Sequence, residues 1–274
     1  MPEATKSLLE EEKQRARDQW GKDPAGAVYG GAHEFGSREF FERVERHRYQ
    51  EYAPWMREVM GFERHAGENL LEVGCGMGTD LLQFARGGAI CTGVDLTPRS
   101  IQITRRRFEL YEMPGTFLVT DGERLAFSDH SFDIVYSNGV LHHTPDTEAA
   151  VREIHRVLKP GGMAEVMLYY RHSLNYWGEI ILHRGLLRGQ LLRGQTPEQI
   201  MGRCVEYGDE TEPLVKVYSR SQARRLFEPF RTIDFEVNQM TRAEFHAFGP
   251  LIPEGLFRAL RRRFGWSLII TARK

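Results

Sequence analysis

Short apolar runs alternate with helical apolar stripes between residues 69 and 170. The runs predict β-strands over Asn69–Val73, Ala89–Asp95, Thr116–Thr120, Phe132–Ser137 and Met163–Tyr169. Between them, apolar side chains recur at helical spacing, as in Ile101, Phe108 and Tyr111 or in Val151, Ile154, Val157 and Leu158. This alternation predicts an α/β fold with a parallel, doubly wound sheet and right-handed crossovers.

The pattern changes after Tyr170, and two further strands are predicted at Thr232–Val237 and Trp266–Ala272. Residues 171–215, before these two strands, and 239–265, between them, are interpreted as two insertions in a main domain that covers 61–274. The first insertion holds a leucine-rich run with Arg184, Arg188 and Arg193, followed by an acidic loop at 206–212. It is interpreted as a lid over a substrate, with core packing or contact with a membrane surface as alternatives.

Residues 1–60 form a separate N-terminal arm in this interpretation. The first 20 residues are highly charged, which favours a solvated or weakly docked helix. A glycine-rich segment follows at 21–41, and Ser37 is a candidate N-cap for a helix that extends to about Tyr52. Tyr29 lies in this segment, which is either a mobile flap or an ordinary connecting loop.

The first strand runs into three alternate glycines and then a helix, an arrangement that brings the backbone close to a ligand. Gly74, Gly76 and Gly78 form this loop. The spacing departs from the dinucleotide-binding pattern, which requires a glycine where this chain has Thr79. Glu72 precedes the loop and would attract an amino group but repel a pyrophosphate. A ligand that carries an amino group and a carboxylate therefore fits better than a dinucleotide.

The stretch Glu72-Val-Gly-Cys-Gly-Met-Gly78 resembles the first motif of class I methyltransferases, which use S-adenosylmethionine. Within that family, the chain is similar to the small-molecule enzymes of the ubiquinone and menaquinone type, the methyltransferase type 11 group. The resemblance covers about 100 residues, Asn69 to Tyr170. It implies a Rossmann-like sheet of seven strands, with the last strand antiparallel between the fifth and sixth, and it adds Cys75 to the cofactor-binding residues.

Two further acidic positions follow predicted strands. Asp95 ends the second strand, where it can accept hydrogen bonds from ribose hydroxyls, and the adjacent Leu96 joins the cofactor set. A helix-capping role for Asp95 is the alternative, but Thr97 and Pro98 already supply the cap and the first helical residue. The resemblance assigns Asp121 and Gly122 to the adenine ring, whereas a simple Asp-Gly turn is the competing interpretation.

The loop after the fourth strand contains the candidates for chemistry. The resemblance places Asn138, His142 and His143 beside the transferred methyl group, and Asn138 is also counted among the cofactor-binding residues. A histidine can accept a proton from a hydroxyl acceptor near neutral pH, and His142 is slightly favoured. Alternatively, both rings cap backbone carbonyls or pack at the surface. The aromatic candidates for contact with the acceptor are Tyr29, Tyr169, Tyr170 and Trp177.

Composition narrows the class of protein. The formal net charge of −1 gives no overall field toward nucleic acid. The three cysteines, Cys75, Cys91 and Cys204, form neither a disulfide framework nor a zinc motif, and no metal site is expected. The sequence shows no apolar leader or transmembrane stretch, so a cytoplasmic protein is expected, whereas the oligomeric state stays open.

Together these observations predict an enzyme that transfers a methyl group from S-adenosylmethionine to a small, partly apolar metabolite, by in-line displacement. The chain lacks the sequence signatures of DNA-directed methylation after the fourth strand, so nucleic acid is not an expected substrate. Two alternatives stay open: a nucleotide-binding oxidoreductase of the NAD type, and a non-catalytic S-adenosylmethionine-binding regulator.

Overall fold

The computed structural model describes residues 3–22, 24–204 and 214–274, without the side chains of 3–8, 204, 246 and 247. The predicted acidic loop at 206–212 and the Cys204 side chain therefore lie outside the described residues.

A seven-stranded sheet with the order β3-β2-β1-β4-β5-β7-β6 forms the centre of the structure. The strands are β1 (Asn69–Val73), β2 (Ile90–Asp95), β3 (Thr116–Val119), β4 (Phe132–Asn138), β5 (Leu158–Tyr169), β6 (Thr232–Asn238) and β7 (Ser267–Arg273). β1 to β5 pair in parallel, and β7 is antiparallel to both β5 and β6. The predicted fold class is confirmed, including the antiparallel strand inserted between the fifth and sixth.

Helices cover both faces of this sheet and extend beyond it at the N-terminus. The α-helices are α1 (Glu3–Lys22), α2 (Arg38–Arg46), α3 (Met56–Val59), α4 (Thr79–Arg86), α5 (Pro98–Leu110), α6 (Thr147–Val157), α7 (Pro197–Cys204), α8 (Arg220–Leu226) and α9 (Glu254–Phe264). Two π-helical segments occupy His47–Tyr52 and Asn175–Leu187, and 3-10 helices occupy Ala27–Gly30, Leu191–Arg193 and Arg242–Leu251. The predicted caps Ser37 and Thr97 accept from first-turn amides of α2 and α5, and the Ser219 side chain caps α8 in the same way.

Alternate residues of β1 belong to the two sides of the core. Leu71 and Val73 pack in one apolar cluster with Val135, whereas Leu70 packs in the other with Ile134 and Tyr136. Both clusters are buried, as expected of a sheet that helices cover on both faces.

β5 begins earlier than the sequence pattern predicts. Leu158 already pairs with Phe132, and the register shifts before Met163 pairs with Ile134. The Gly161 amide donates to the Lys274 carbonyl, and the Lys274 amide donates to Gly162. These bonds tie the Lys159–Gly162 segment to the C-terminus, with Gly161 in the left-handed region at φ +80°.

The N-terminal helix is docked, so the prediction of a solvated arm is wrong. Lys13 is buried and forms ion pairs of 2.6 Å with both Asp121 and Glu123. The Trp20 ring lies 5.5 Å from the His143 ring, measured between centroids. The charges of α1 therefore hold it against the carboxyl edge of the sheet.

Candidate active site

A cavity of about 270 Å³ opens at the carboxyl edge of the sheet. The loops after β1 to β4 line one part of it, and β5, β7 and the segment after β6 line the other. Helix α1 and residues 48–56 of the N-terminal arm complete the wall. Ligands of open α/β sheets bind at this edge, because the parallel strands end there together.

The glycine loop closes the cavity over β1. Gly74 has φ +77°, and a Cβ atom there would lie 2.3 Å from Val140 Cγ2, so a larger residue does not fit. Gly76 has φ +53°, and nothing lies within 4 Å of the position of its Cβ, so its open side faces the cavity. A ligand can therefore approach the Gly76 backbone directly.

Two other residues of the predicted loop lie beneath it. The Cys75 thiol is buried 3.8 Å from the Thr104 hydroxyl, and burial raises its pKa well above the ordinary value. Gly78 faces Thr104 as well, because a Cβ there would lie 2.8 Å from Thr104 Cγ2. Cys75 and Gly78 are not among the cavity-lining residues and support the loop from below.

Asp95 links the first two loops of the site. Its Oδ2 accepts from the Gly76 amide at 3.0 Å, and its Oδ1 accepts from the amide and the hydroxyl of Thr97, each at 2.9 Å. Burial raises the pKa of this carboxyl. Asp95 and Leu96 both line the cavity, where the sequence places them.

Asp121 combines a turn with a charge pair. Its Oδ1 accepts from the Glu123 amide at 2.9 Å, while its Oδ2 accepts from Lys13. Both Asp121 and Gly122 line the cavity. The turn that competes with the ligand-binding interpretation is therefore present, and it directs the carboxylate to the cavity edge.

A buried polar cluster lies behind the glycine loop. Asp80 accepts from Arg48 Nε at 2.6 Å, from the hydroxyls of Tyr49 and Tyr136 at 2.5 and 2.9 Å, and from Asn138 Nδ2 at 3.1 Å. Arg48 and Asn138 also line the cavity. Arg48 and Asp80 were not predicted from the sequence, although an aspartate in the first turn of a helix otherwise rich in apolar residues was an available signal.

Glu72 is buried against this cluster and is not among the cavity-lining residues. Its Oε2 has no hydrogen-bond partner within the described part of the chain. Burial and then the neighbouring Asp80 carboxylate raise its pKa well above the ordinary value.

Aromatic and thioether side chains form the cavity wall beyond β4. Trp20, Tyr52, Trp55, Met56, Met167 and Tyr169 contribute to it. Gln239, at φ +62°, connects two of them: its Oε1 accepts from the Trp55 indole at 2.8 Å and its Nε2 donates to the Tyr52 carbonyl at 3.1 Å. Of this group, only Tyr169 was predicted from the sequence.

The other predicted aromatic residues lie elsewhere. Tyr29 stacks on His47 with 3.6 Å between ring centroids. Tyr170 packs in the core beside the sheet, and Trp177 is exposed on the first insertion. None of these three lines the cavity among the described residues.

The two adjacent histidines differ in their surroundings. His142 is fully buried with neither ring nitrogen hydrogen-bonded, and burial followed by the nearby His143 lowers its pKa well below the ordinary value. His143 lines the cavity, and its Nδ1 donates to the Leu214 carbonyl at 2.7 Å. The cavity therefore contacts His143, whereas the sequence analysis slightly favoured His142.

Comparison with known proteins identifies the family. A profile described as a methyltransferase domain matches residues 71–166, which span β1 to β5 and most of the loops described above. About a third of the chain thus matches the domain of class I S-adenosylmethionine-dependent methyltransferases. The methyl donor of that family is S-adenosylmethionine.

Curated methyltransferases share this domain over part of their length. The chain is 39% identical over 97 residues to demethylmenaquinone methyltransferase of Tropheryma whipplei, a match that covers 35% of this chain and 40% of the relative. It is 32% identical over 126 residues to 2-methyl-6-phytyl-1,4-hydroquinone methyltransferase of a Synechocystis species, covering 43% and 39%. The chain thus spans about two fifths of these relatives.

Solved structures extend the similarity in fold beyond the matched domain. A methyltransferase of Methanosarcina mazei aligns with a TM-score of 0.54 at 19% identity, over 79% of this chain and 96% of that one. The [4+2]-cyclase SpnF aligns with a TM-score of 0.54 at 17% identity, over 97% and 94%. Proteins with different reactions thus share this architecture, so the reaction must be argued from the site.

The cavity has features that fit S-adenosylmethionine. The open side of Gly76 leaves room for the ligand, and the carboxylates of Asp95 and Asp121 stand at successive points of the cavity edge. Arg48 offers a cation at the same cavity. Every helix among the described residues is too short or too polar to cross a membrane.

Proposed function

We propose that this chain transfers the methyl group of S-adenosylmethionine to a small, partly apolar acceptor. One observation carries the proposal: a single cavity joins the loops of Gly76, Asp95 and Asp121 to an aromatic wall on the other side of β4. The first part suits an amino acid joined to a nucleoside, and the second suits an apolar molecule beside it.

Different residues of the first part would bind different parts of the cofactor. The backbone around Gly74 and Gly76 and the Arg48 guanidinium would hold the amino acid end. Asp95 would accept from the ribose hydroxyls, since a carboxylate has lone pairs beyond those used by Gly76 and Thr97. Asp121 and Gly122 would border the adenine ring. The ion pair between Lys13 and Asp121 would hold the carboxylate in place there.

The second part would align the acceptor and exclude water. When bound, S-adenosylmethionine supplies a methyl group that the sulfonium charge activates for in-line displacement. The chain then has to orient the attacking atom, a task for which Trp20, Trp55 and Tyr169 provide rigid surfaces. The described cavity wall beyond β4 carries no carboxylate, which favours a neutral acceptor over an ammonium group.

His143 is the better candidate for a general base when the acceptor is a hydroxyl. Because its Nδ1 donates to the Leu214 carbonyl, Nε2 is the basic nitrogen of the neutral ring. A base is unnecessary for a thiolate or an enolate carbon, so the acceptor decides whether His143 acts. His142 and the aromatic residues Tyr29, Tyr170 and Trp177 have no role in this proposal.

The names of the relatives suggest a first set of acceptors. They include a demethylmenaquinone, a phytyl hydroquinone and a sterol methyltransferase, all enzymes with partly apolar substrates. We extend that class, rather than any one compound, to this chain.

Calorimetry with S-adenosylmethionine tests the cofactor. We expect binding by the purified protein, with affinity at least about tenfold weaker in Asp95→Ala because charged hydrogen bonds are lost. Asp234→Ala, at an exposed position of β6, is the matched control and should bind like wild type. Absence of binding by the wild-type protein would overturn the proposal.

Incubation with labelled cofactor and a fractionated extract, followed by mass identification, tests the transfer. A labelled small molecule is the expected result. Binding of the cofactor with no labelled product in any fraction would instead favour the regulator.

A further inference from the structure

The two insertions of the main domain carry most of the exposed large apolar side chains. In the described part of the chain fifteen such side chains are exposed, and nine belong to the insertions, which hold about a quarter of the residues. They are Trp177, Leu182, Leu186, Leu187 and Leu192 in the first insertion and Phe248, Leu251, Leu256 and Phe264 in the second. We call these nine the insertion surface.

The most exposed positions are the most informative. Leu192, Leu251, Leu187 and Phe248 are 82, 76, 74 and 73% exposed, above every other large apolar residue described. Packing of the first insertion does not require them, because Tyr176 and Ile180 already anchor it in a buried cluster with Trp266. Exposed apolar residues concentrated in this way indicate a binding surface.

Both insertions leave the sheet at the edge that holds the cavity. The first follows Tyr169, and the second lies between Asn238 and Ser267, which pair on neighbouring strands. Tyr169 and Ser267 line the cavity, as does Gln239 at the start of the second insertion. The insertion surface therefore belongs to the same end of the molecule as the active site.

Among the described residues of the two insertions, arginines outnumber carboxylates. Arg188, Arg193, Arg258 and Arg262 are exposed and form no ion pair with another described residue. The nearby carboxylates of Glu179 and Glu254 are already paired with Arg184 and Arg242. Exposed leucine and phenylalanine next to unpaired arginine is the combination that binds an anionic bilayer.

We propose that the insertion surface docks this methyltransferase on anionic membranes, with the active-site end toward the lipid. A second copy of the chain is a poorer occupant, since a two-fold contact would bring the same arginines together. The proposal concerns a surface outside the cavity, so it does not depend on the identity of the acceptor.

Co-sedimentation with lipid vesicles tests the proposal. The purified chain is mixed with vesicles of phosphatidylcholine alone or with about 30% phosphatidylglycerol, at about 0.1 M salt. We expect the protein to pellet with the anionic vesicles and to partition at least roughly tenfold less into the neutral ones. Equal binding to both would overturn the electrostatic part, and no binding to either would overturn the proposal.

Matched variants distinguish binding through this surface from non-specific binding through exposed apolar side chains elsewhere. Leu187→Ser with Leu192→Ser and Leu251→Ser should lower partitioning roughly tenfold or more, and so should Arg258→Glu with Arg262→Glu. The control is Val28→Ser with Ile90→Ser, which removes exposed apolar side chains elsewhere and should bind like wild type. Equal losses in the control would contradict the proposal.

Two measurements keep the outcome interpretable. S-adenosylhomocysteine affinity reports that each variant is folded, and it should stay within about twofold of wild type because the substituted residues lie outside the cavity. Light scattering reports the oligomeric state. A dimer that the leucine substitutions dissociate, with no vesicle binding, would assign the surface to a second copy instead.

Discussion

The Trp55 indole donates to the side-chain oxygen of Gln239 over 2.8 Å, across 184 residues of chain. The same glutamine donates to the Tyr52 carbonyl, and its backbone carbonyl accepts from the Trp266 amide at 2.7 Å. The hydrogen bonds of Gln239 therefore connect the N-terminal arm to the start of the second insertion. Its left-handed backbone is unusual for a residue with a side chain, and such positions persist where surrounding bonds enforce them.

Gln239→Leu should loosen this part of the cavity wall. The substitution removes both side-chain hydrogen bonds of Gln239 and leaves the buried Trp55 indole N–H without this acceptor, which costs about 1–3 kcal/mol of unfolding free energy. Urea denaturation measures that loss, and the indole N–H of Trp55 should exchange faster with solvent in NMR spectra. Trp55→Phe is the matched variant, and the double variant should lose less than the sum of the two. If the losses of unfolding free energy were additive, the Trp55 and Gln239 side chains would not be energetically coupled.

His142→Leu should reduce the acid sensitivity of the fold. The ring is neutral in the folded protein because burial lowers its pKa, whereas an unfolded histidine titrates near 6.5. Between these values the unfolded state binds more protons, so stability is lost as pH falls below about 6.5. The variant should show a flatter dependence of unfolding free energy between about pH 5 and 6.5, while His33→Gln at an exposed site should keep the wild-type slope. A wild-type slope in His142→Leu would contradict this explanation.

Glu165→Gln should act at the opposite end of the pH range. Burial raises the pKa of Glu165 to about 8 from an ordinary value of 4.5. The folded state therefore binds the Glu165 proton more tightly than the unfolded state does. The protonated carboxyl contributes fully to stability below about pH 4.5, and this contribution is lost as the pH rises through about 8. At pH 9 the variant should be more stable than wild type by over about 1.4 kcal/mol, the equivalent of one pKa unit. Glu63→Gln, at an exposed site, is the control for denaturation curves at both pH values.

Asp80→Asn should be strongly destabilising. It leaves the partly exposed Arg48 guanidinium without the buried Asp80 carboxylate, so the loss should approach, without exceeding, the roughly 3–5 kcal/mol of a fully buried pair. Urea denaturation provides the measurement, with Asp234→Asn on the surface as the control. Adding Arg48→Met to Asp80→Asn should recover part of the loss, since the unpaired charge is then gone. No recovery would mean that the tyrosine hydroxyls, and not the charge pair, dominate the cluster.

The fold was predictable because its signals are local. Strand periodicity, the glycine loop and caps such as Thr97 and Ser219 each depend on neighbours in the sequence. The last strands were found for the same reason, and the resemblance supplied their order. The start of β5 was missed because hydrogen bonds between its glycine segment and Lys274, at the distant C-terminus, hold that segment in the sheet.

The site was predictable only where it belongs to those local signals. Asp95, Asp121 and the glycine loop follow strands, whereas Arg48, Trp55 and Gln239 lie on irregular segments that long-range contacts bring to the cavity. The two histidines show the limit most clearly. A turn in which the His143 amide donates to Val140 brings His143 to the cavity and leaves His142 buried, and no periodic pattern distinguishes adjacent residues in a loop.

Helix α1 contacts both ends of the cavity, through Lys13 at Asp121 and through Trp20 at His143. A rigid helix cannot leave one of these contacts without straining the other. Under the proposed function, the cofactor and acceptor parts of the cavity would both lie against this one helix. A variant that loosens α1 should therefore change the exchange of both ligands together.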